Sequence, residues 1–294
     1  MSKKGLKTPL RYPGGKSRAC TKLGQFFPDL RDYVEFREPF LGGGSVAIHV
    51  SKLYPNLKIT VNDLYEPLIN FWMNLQMFGD DLSRELKNLK ITHCNPDSAR
   101  CLFAEMKDII NDNEQSNLDR AVAFYVVNKC SFSGLTESSS FSEQASDSNF
   151  SMRGIEKLPE YSEIISHWHI NSYSYEYCFQ TDIHDGLFMY LDPPYDIKDN
   201  LYGKSGEMHK KFDHDKFAKD CDDHTADMMI SYNSSQLIKN RFKNWNAVEF
   251  DLTYTMRSVG DYMSDQQTRK ELLLLNYGTE GMVEVDQFVK EKSY

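Results

Sequence analysis

Asp192-Pro193-Pro194-Tyr195 follows directly on the apolar run Leu187 to Leu191 (LFMYL), at what reads as the C-terminal end of a strand. Open α/β sheets place ligands at such ends. These residue types suit activation of a nucleobase amine. An exocyclic amine such as adenine's is a weak nucleophile, because its lone pair is delocalised into the ring. Acceptors on both N–H groups would draw the nitrogen toward a tetrahedral geometry and free that pair. The Asp192 carboxylate supplies one acceptor and the Pro193 carbonyl the other. Proline has a fixed φ and no N–H, and the proline after it keeps it extended, so the carbonyl's direction is held. Tyr195 offers a flat face for a base taken out of a duplex. The competing reading is a strand, a Pro-rich turn and a surface acid.

A second group is Phe40-Leu41-Gly42-Gly43-Gly44, with Asp63 about 20 residues on, the distance at which a carboxylate meets the ribose hydroxyls of a nucleotide. Glycines after a first strand let a cofactor approach the backbone closely. The pair suits a nicotinamide or flavin nucleotide as well as a methyl donor, although G-G-G-S-V-A is a poor match to G-x-G-x-x-G. A tight turn and a capping acid would look the same. The third group, Arg11-Tyr12-Pro13-Gly14-Gly15-Lys16, could bracket a small anionic or carboxylate-bearing ligand. It is too short for a phosphate-binding P-loop, and a basic surface turn is the plainer reading.

The elements that must position these groups are legible in outline. Asp32 to Pro39 is a short, mostly apolar run ending at the glycines, and Ser45 to Leu53 reads as a helix. Leu57 to Val61 alternates as a strand and ends at Asn62-Asp63, and Leu64 to Phe78 reads as an amphipathic helix. That βαβα start implies a parallel sheet. From about Gly79 to Asn171 the character changes to helical periodicity, over Asp97 to Asn111 and Leu118 to Lys129. The serine-rich stretch Ser131 to Ser151 should be a loop or loose hairpin. Strand-like runs resume at Leu187 to Leu191, Asp227 to Tyr232, Ala247 to Leu252 and Glu271 to Tyr277, some continuously apolar, as for strands covered on both faces.

The chain has 294 residues, 40% hydrophobic and 26% charged, enough for one large α/β domain or for a catalytic domain carrying an insertion. No apolar run reaches the roughly 18 residues of a membrane span, and Met1 to Gly5 is not a secretory signal. Six scattered cysteines without C-x-x-C read as reduced thiols of a cytoplasmic protein. Eight histidines form no zinc spacing, so no metal is expected. The net charge of −9 counts against a nucleic-acid partner, but phosphate contacts are local. Lys3, Lys4, Lys7, Arg11, Lys16, Arg18 and Lys22 fall within the first 22 residues with no acid among them. Lys204, Lys210, Lys211 and Lys216 form a second cluster. Solvated faces would also account for both.

Taken in order, aromatic-x-Gly-Gly-Lys, P-F-x-G-x-G, N-D, an insertion and D-P-P-Y resemble the Dam-type family of DNA adenine-N6 methyltransferases in its α arrangement. The resemblance covers most of the chain. It implies a Rossmann-like α/β fold, a mostly parallel sheet with helices on both faces. Residues 1–78 plus 172–294 would form the catalytic S-adenosylmethionine-binding domain, and 79–171 an inserted, mainly helical target-recognition domain. Tyr12, Lys16, Phe40, Gly42, Gly44, Ser45 and Asp63 would bind S-adenosylmethionine. Asp192 would touch both cofactor and target amine within the catalytic set Asp192, Pro193, Pro194 and Tyr195. Tyr125 to Leu135 (YVVNKCSFSGL) is similar to a family segment that contributes to DNA contact. Asn128, Lys129, Phe132 and Gly134 match it, and Ser133 stands where the family prefers asparagine. Lys7, Arg11, Asn128, Lys129, Phe132 and Arg257 are the expected DNA-binding residues. Ile230 to Ser234 resembles the short strand motif behind the adenine pocket, and Arg257 through Asn276 the C-terminal R…R-x-E-x-L-x-x-N pattern.

Two departures stand out. Thr136-Glu137-Ser138-Ser139-Ser140 replaces the tyrosine and basic residues that follow in the family, which implies an unusual recognition site. Ser174-Tyr175 falls where the family has an Asp-aromatic pair for the cofactor's adenine. The expected partner is double-stranded DNA with a short specific site. A cognate restriction endonuclease is compatible, as is a monomer or weak dimer. Two other classes remain open from the residues alone: a catalytically silent nucleic-acid-binding protein, and a nucleotide-dependent oxidoreductase. Cytosine-N4 transfer needs a similar tetrapeptide, and the resemblance favours adenine.

Overall fold

The computed structural model describes residues 6–132, 134, 139–195, 212–251 and 270–278. Arg257, Ser133, Leu135 and three lysines of the second basic cluster (Lys204, Lys210 and Lys211) lie outside them. Seven described strands form one sheet in the order β3-β2-β1-β4-β5-β7-β6. These are β1 Glu35–Glu38, β2 Lys58–Asn62, β3 His169–Asn171, β4 Leu187–Leu191, β5 Asp227–Asn233, β6 Asn246–Asp251 and β7 Lys270–Leu275. The first five pair with one another in parallel, and β7 runs antiparallel between β5 and β6. The chain winds outward to β2 and β3 on one side of β1 and to β4 and β5 on the other. The β1/β4 boundary is therefore the switch point, where loops after adjacent strands diverge and leave a crevice.

Side chains alternate between faces along a strand, and β4 is buried throughout because both faces are covered. Phe188 and Tyr190 join the core with Phe36, Ile59, Val61 and the helices Ser45–Leu53 and Asn117–Cys130. Leu187, Met189 and Leu191 join a second core with Phe217, Phe242 and Trp245. Each such fully buried side chain stabilises by about 1.5–3 kcal/mol relative to leaving it in water.

Strand β1 corrects the expectation of a mostly apolar run. Its four residues, EFRE, are all buried and three are charged. Glu35 and Arg37 share one face, where Arg37 Nε lies 2.9 Å from Glu35 Oε1 and its Nη1 donates to the carbonyls of Cys178 and Thr181. Glu38 points to the opposite face, alongside Phe36. Buried charge is tolerable there because these contacts satisfy it.

The helix expected over Leu64 to Phe78 begins at Glu66, with Pro67 in its first turn, and runs to Thr92. A kink falls at Phe78 (φ −132°, ψ 37°). There the Ser162 hydroxyl donates to the Gln76 carbonyl at 3.0 Å, and a Cβ on Gly79 would lie 2.5 Å from Ser162 Cβ. A side chain inserted into the helix ladder is a recognised cause of such a bend. The helices Pro96–Ile109 and Asn117–Cys130 match the periodicity within about a turn. The end of the stretch read as an insertion contributes β3, an edge strand of the main sheet paired to β2. Three partly exposed residues carry no alternation by which to recognise it. The serine-rich stretch is a hairpin only at first, through the Ser131/Phe141 bridge. It then turns helical over Glu143–Ser148, where Ser142 accepts from Ala145 N–H as a helix cap, and its last residue, Ser151, accepts from Gly154 N–H to cap the helix Met152–Ile155 that follows. No described helix is long and apolar enough to cross a membrane.

Candidate active site

A cavity of about 470 Å³ opens at the switch point. Tyr12, Lys16, Phe40, Gly42, Gly44, Ser45, Asp63, Asp192, Pro193, Pro194 and Tyr195 all line it. The loop after β1 forms its floor. Gly42 and Gly44 have φ of +47° and +64°, a region open to glycine. A Cβ on Gly42 would lie 2.8 Å from the Tyr12 ring, and one on Gly44 would lie 2.7 Å from Trp72. The Tyr12 ring thus lies directly against the bare turn. Asp63 ties that turn to the end of β2: Gly42 N–H donates to Oδ2 at 2.9 Å and Tyr65 N–H to Oδ1 at 3.0 Å. Its neighbour Asn62 is fully buried and bridges the Pro39 carbonyl, at 3.1 Å, to the backbone N–H and carbonyl of Tyr173. The Asn-Asp dipeptide therefore locks three loops around the cavity. Tyr173, Ser174, Tyr175 and Glu176 form a further wall, with Tyr175 stacked on Phe40 at 5.7 Å between ring centres.

Lys16 is the centre of the polar network. Its Nζ lies 2.8 and 2.9 Å from the two carboxylate oxygens of Asp192, 2.7 Å from the Tyr195 hydroxyl, 3.2 Å from the Gly14 carbonyl and 3.2 Å from Glu271 Oε1. The Tyr195 hydroxyl also donates to Glu271. The Lys16 and Glu271 side chains are each only 2% exposed, whereas that of Asp192 keeps 21%. Burial alone would lower the Lys16 pKa, but Asp192, Tyr195 and Glu271 outweigh it, and its pKa stands well above the usual lysine value. Burial pushes the Asp192 carboxyl up to about 6, with Lys16 opposing and Glu271 adding to the rise.

Glu38 was missed by the sequence reading. It lines the cavity from the end of β1 and accepts from Ala47 N–H at 2.8 Å, at the start of the helix Ser45–Leu53. Burial, reinforced by the nearby Asp192, holds its carboxyl well above the ordinary range. A glutamate set just before Pro39-Phe40 was the available signal. Glu271 was also missed as a site residue, although it is the glutamate of the C-terminal R-x-E-x-L-x-x-N pattern, because nothing local ties a residue at the start of a leucine strand to the cavity.

The expected DNA-binding residues divide. Arg11, Asn128, Lys129 and Phe132 come together, while Arg257 lies outside the described residues. Asn128 needs correction: it is 0% exposed and spends its side chain internally. Its Oδ1 accepts from Arg11 N–H at 2.9 Å, and its Nδ2 donates to the carbonyls of Arg11 and Gly134 at 2.7 and 2.8 Å. It fixes the Arg11 segment from beneath and does not present itself to a ligand. The Arg11 guanidinium donates to the carbonyls of Ser131 and Phe132. Phe132 is 61% exposed, and Lys7 is exposed. Lys129 is half-buried, with Nζ 5.2 Å from the Tyr125 ring centre. Burial pushes its ammonium down to about 7, and the Arg11 charge adds to the fall.

The chain is similar in sequence to known proteins. The sequence pattern of the D12 class N6 adenine-specific DNA methyltransferase family matches residues 12–256. The type II methyltransferase M1.LlaDCHI of Lactococcus lactis subsp. cremoris is 24% identical over 293 residues, spanning 94% of this chain and 98% of the relative. The type II methyltransferase M.CviBI of Paramecium bursaria Chlorella virus NC1A is 20% identical, spanning 92% and 100%. M.MjaIII of Methanocaldococcus jannaschii, also a type II methyltransferase, is 22% identical, spanning 92% and 99%.

Proposed function

This chain belongs to the D12 class N6 adenine-specific DNA methyltransferase family, and from that premise we propose how its cavity performs the reaction. The protein methylates the N6 amine of adenine in DNA, at specific sites. The reading of its chemistry rests on one observation. Asp192 and Tyr195, from the end of β4, share a cavity with Tyr12, the glycine turn after β1 and Asp63 after β2.

The cavity's chemistry suits S-adenosylmethionine. Bare glycine backbone lines its floor, and Glu38, Asp63, Asp192 and Glu176 surround it with carboxyl groups. The acceptor oxygens of that set suit ribose hydroxyls and a positively charged ligand. The buried cation Lys16 is already matched by Asp192 and Glu271, and Lys216, also in the lining, is paired with Glu176 and Asp220. Tyr12, Lys16, Phe40, Gly42, Gly44, Ser45, Asp63 and Asp192 would hold the cofactor. When bound, it supplies an electrophilic methyl carbon.

The chain's own residues then prepare the nucleophile. Tyr195 presents a ring face to the flipped adenine, and its tethered hydroxyl keeps that ring from swinging. Asp192 and the Pro193 carbonyl accept from the two amine N–H groups and turn the lone pair outward. A carboxylate has about four acceptor sites, so Asp192 can hold Lys16 and the amine together. Positioning and these acceptors provide most of the acceleration. Residues 79–171, with Lys7, Arg11, Lys129 and Phe132 along the approach, would hold the duplex. The type II names of the relatives suggest a cognate restriction endonuclease acting at the same site, and a monomer or weak dimer in the cytoplasm suffices for this chemistry.

The deciding experiment maps methylated positions in DNA from cells expressing the protein. N6-methyladenine at one short motif is expected. Unmodified DNA, or N4-methylcytosine instead, would overturn the reading.

A further inference from the structure

We propose that Glu271 is a positioning residue for methyl transfer, holding the Lys16 ammonium and the Tyr195 hydroxyl so that Asp192 stays free to accept from the target amine. The inference rests on the function proposed above and gives a role to Glu271, the glutamate of the C-terminal R-x-E-x-L-x-x-N pattern, which lies beyond the residues matched by the family.

Donors and acceptors around Lys16 are out of balance. An ammonium has three N–H donors. Five acceptor atoms lie within 3.2 Å of Lys16 Nζ: two on Asp192, and one each on Tyr195, Gly14 and Glu271. The five therefore cannot each receive an N–H of their own, and they compete for the three. Glu271 draws part of the ammonium's charge away from Asp192. Its carboxylate also accepts from the Tyr195 hydroxyl, which pins the ring proposed to face the adenine. Without that second anion, Lys16 would concentrate on Asp192 and weaken both carboxylate oxygens as acceptors.

The location supports a functional reading. Glu271 sits in β7, opposite Asn233 of β5, and is followed by four buried leucines. A buried ion pair is often no more stabilising than apolar residues of similar size, so its presence in such a strand is not explained by stability. It contacts Tyr195, from the tetrapeptide after β4, and Lys16, from the N-terminal motif, both of which also contact each other.

Glu271→Gln tests this, because the amide preserves the shape and can still accept from Tyr195 while removing the charge. The expected result is a single-turnover methylation rate lowered about 10- to 100-fold. Direct S-adenosylmethionine binding should change by less than about threefold, with the melting temperature nearly unchanged. Glu271→Asp, which restores the charge, should recover part of the rate. An undiminished rate in Glu271→Gln, a loss that only tracks weaker cofactor binding, or a Glu271→Asp no faster than Glu271→Gln would each overturn the inference. If Glu271→Gln does not fold, Tyr195→Phe carries the test, since it removes the anchored hydroxyl and keeps the ring. A rate about tenfold lower is expected, and a wild-type rate overturns the inference. Wild-type protein runs in the same assay: no transfer there defeats the underlying function, whereas transfer by wild type and variant alike defeats only the role of Glu271.

Discussion

Lys16 and Asp192 stand 176 positions apart in the chain, yet the lysine ammonium contacts both oxygens of the aspartate carboxylate at 2.8 and 2.9 Å. The contact joins the N-terminal glycine motif to the tetrapeptide after β4. It orients the carboxylate that the proposed chemistry needs.

Asp192→Ala should therefore abolish methyl transfer without unfolding the protein. Lys16 keeps a buried counter-ion in Glu271, so no unpaired charge is stranded. Loss of at least about 100-fold in tritiated-methyl incorporation is expected, with the melting temperature preserved. Full activity in this variant would refute the assignment.

The same carboxylate sets an acid limit. Its pKa is pushed up to about 6, chiefly by burial. Only the ionised form accepts on both oxygens, so protonation removes an acceptor from the amine. The single-turnover rate should fall about tenfold per pH unit below that value and level off above it. A rate constant flat from pH 5 to 8 would contradict the role given to Asp192.

Gly42→Ala should damage both fold and cofactor site. The residue has φ of +47°, and the added Cβ would lie 2.8 Å from the Tyr12 ring. The backbone strain alone costs about 1–2 kcal/mol. Displacing Tyr12 should weaken S-adenosylmethionine binding further, read by calorimetry beside a lowered melting temperature. Unchanged affinity would separate Tyr12 from the cofactor site.

Asn128→Ala should act as a stability lesion. It removes the acceptor for Arg11 N–H and the donor to the Arg11 and Gly134 carbonyls. Leaving such groups unsatisfied costs about 1–3 kcal/mol. Denaturant unfolding should register that loss, and DNA affinity should fall with it because the Arg11 segment loosens. A variant as stable as the parent but unable to bind DNA would restore Asn128 to direct contact.

Lys129→Met should differ. The ammonium's pKa is pushed down to about 7, so lysine gains its charge as pH falls through that value. Wild-type DNA affinity should then rise from pH 8 to pH 6, and the variant should lose that part of the rise. At pH 6 its salt slope should be shallower by about one unit. Matching pH profiles in the two proteins would remove Lys129 from the interface.

Much of this was legible in the chain alone. The apolar run before Asp192, the glycines after β1 and the acid after β2 are local patterns. Strand periodicity and turn chemistry are short-range physics, and they predicted the parallel half-sheet and the main helices. β3 was not legible, because three half-exposed residues at a sheet edge need no hydrophobic alternation. The charged strand β1 was misjudged, since Glu35 and Arg37 are buried on each other and on carbonyls supplied by residues 178 and 181.

Residue types and order, then, settled the family of chemistry and the elements that carry it. Tertiary structure decided which polar groups meet. It placed Glu271 beneath Tyr195, turned Glu38 toward Ala47, and spent Asn128 on the Arg11 backbone rather than on a ligand. Those outcomes depend on partners far away in sequence. A buried polar group must find its complement wherever the fold brings one, and no local pattern records that meeting.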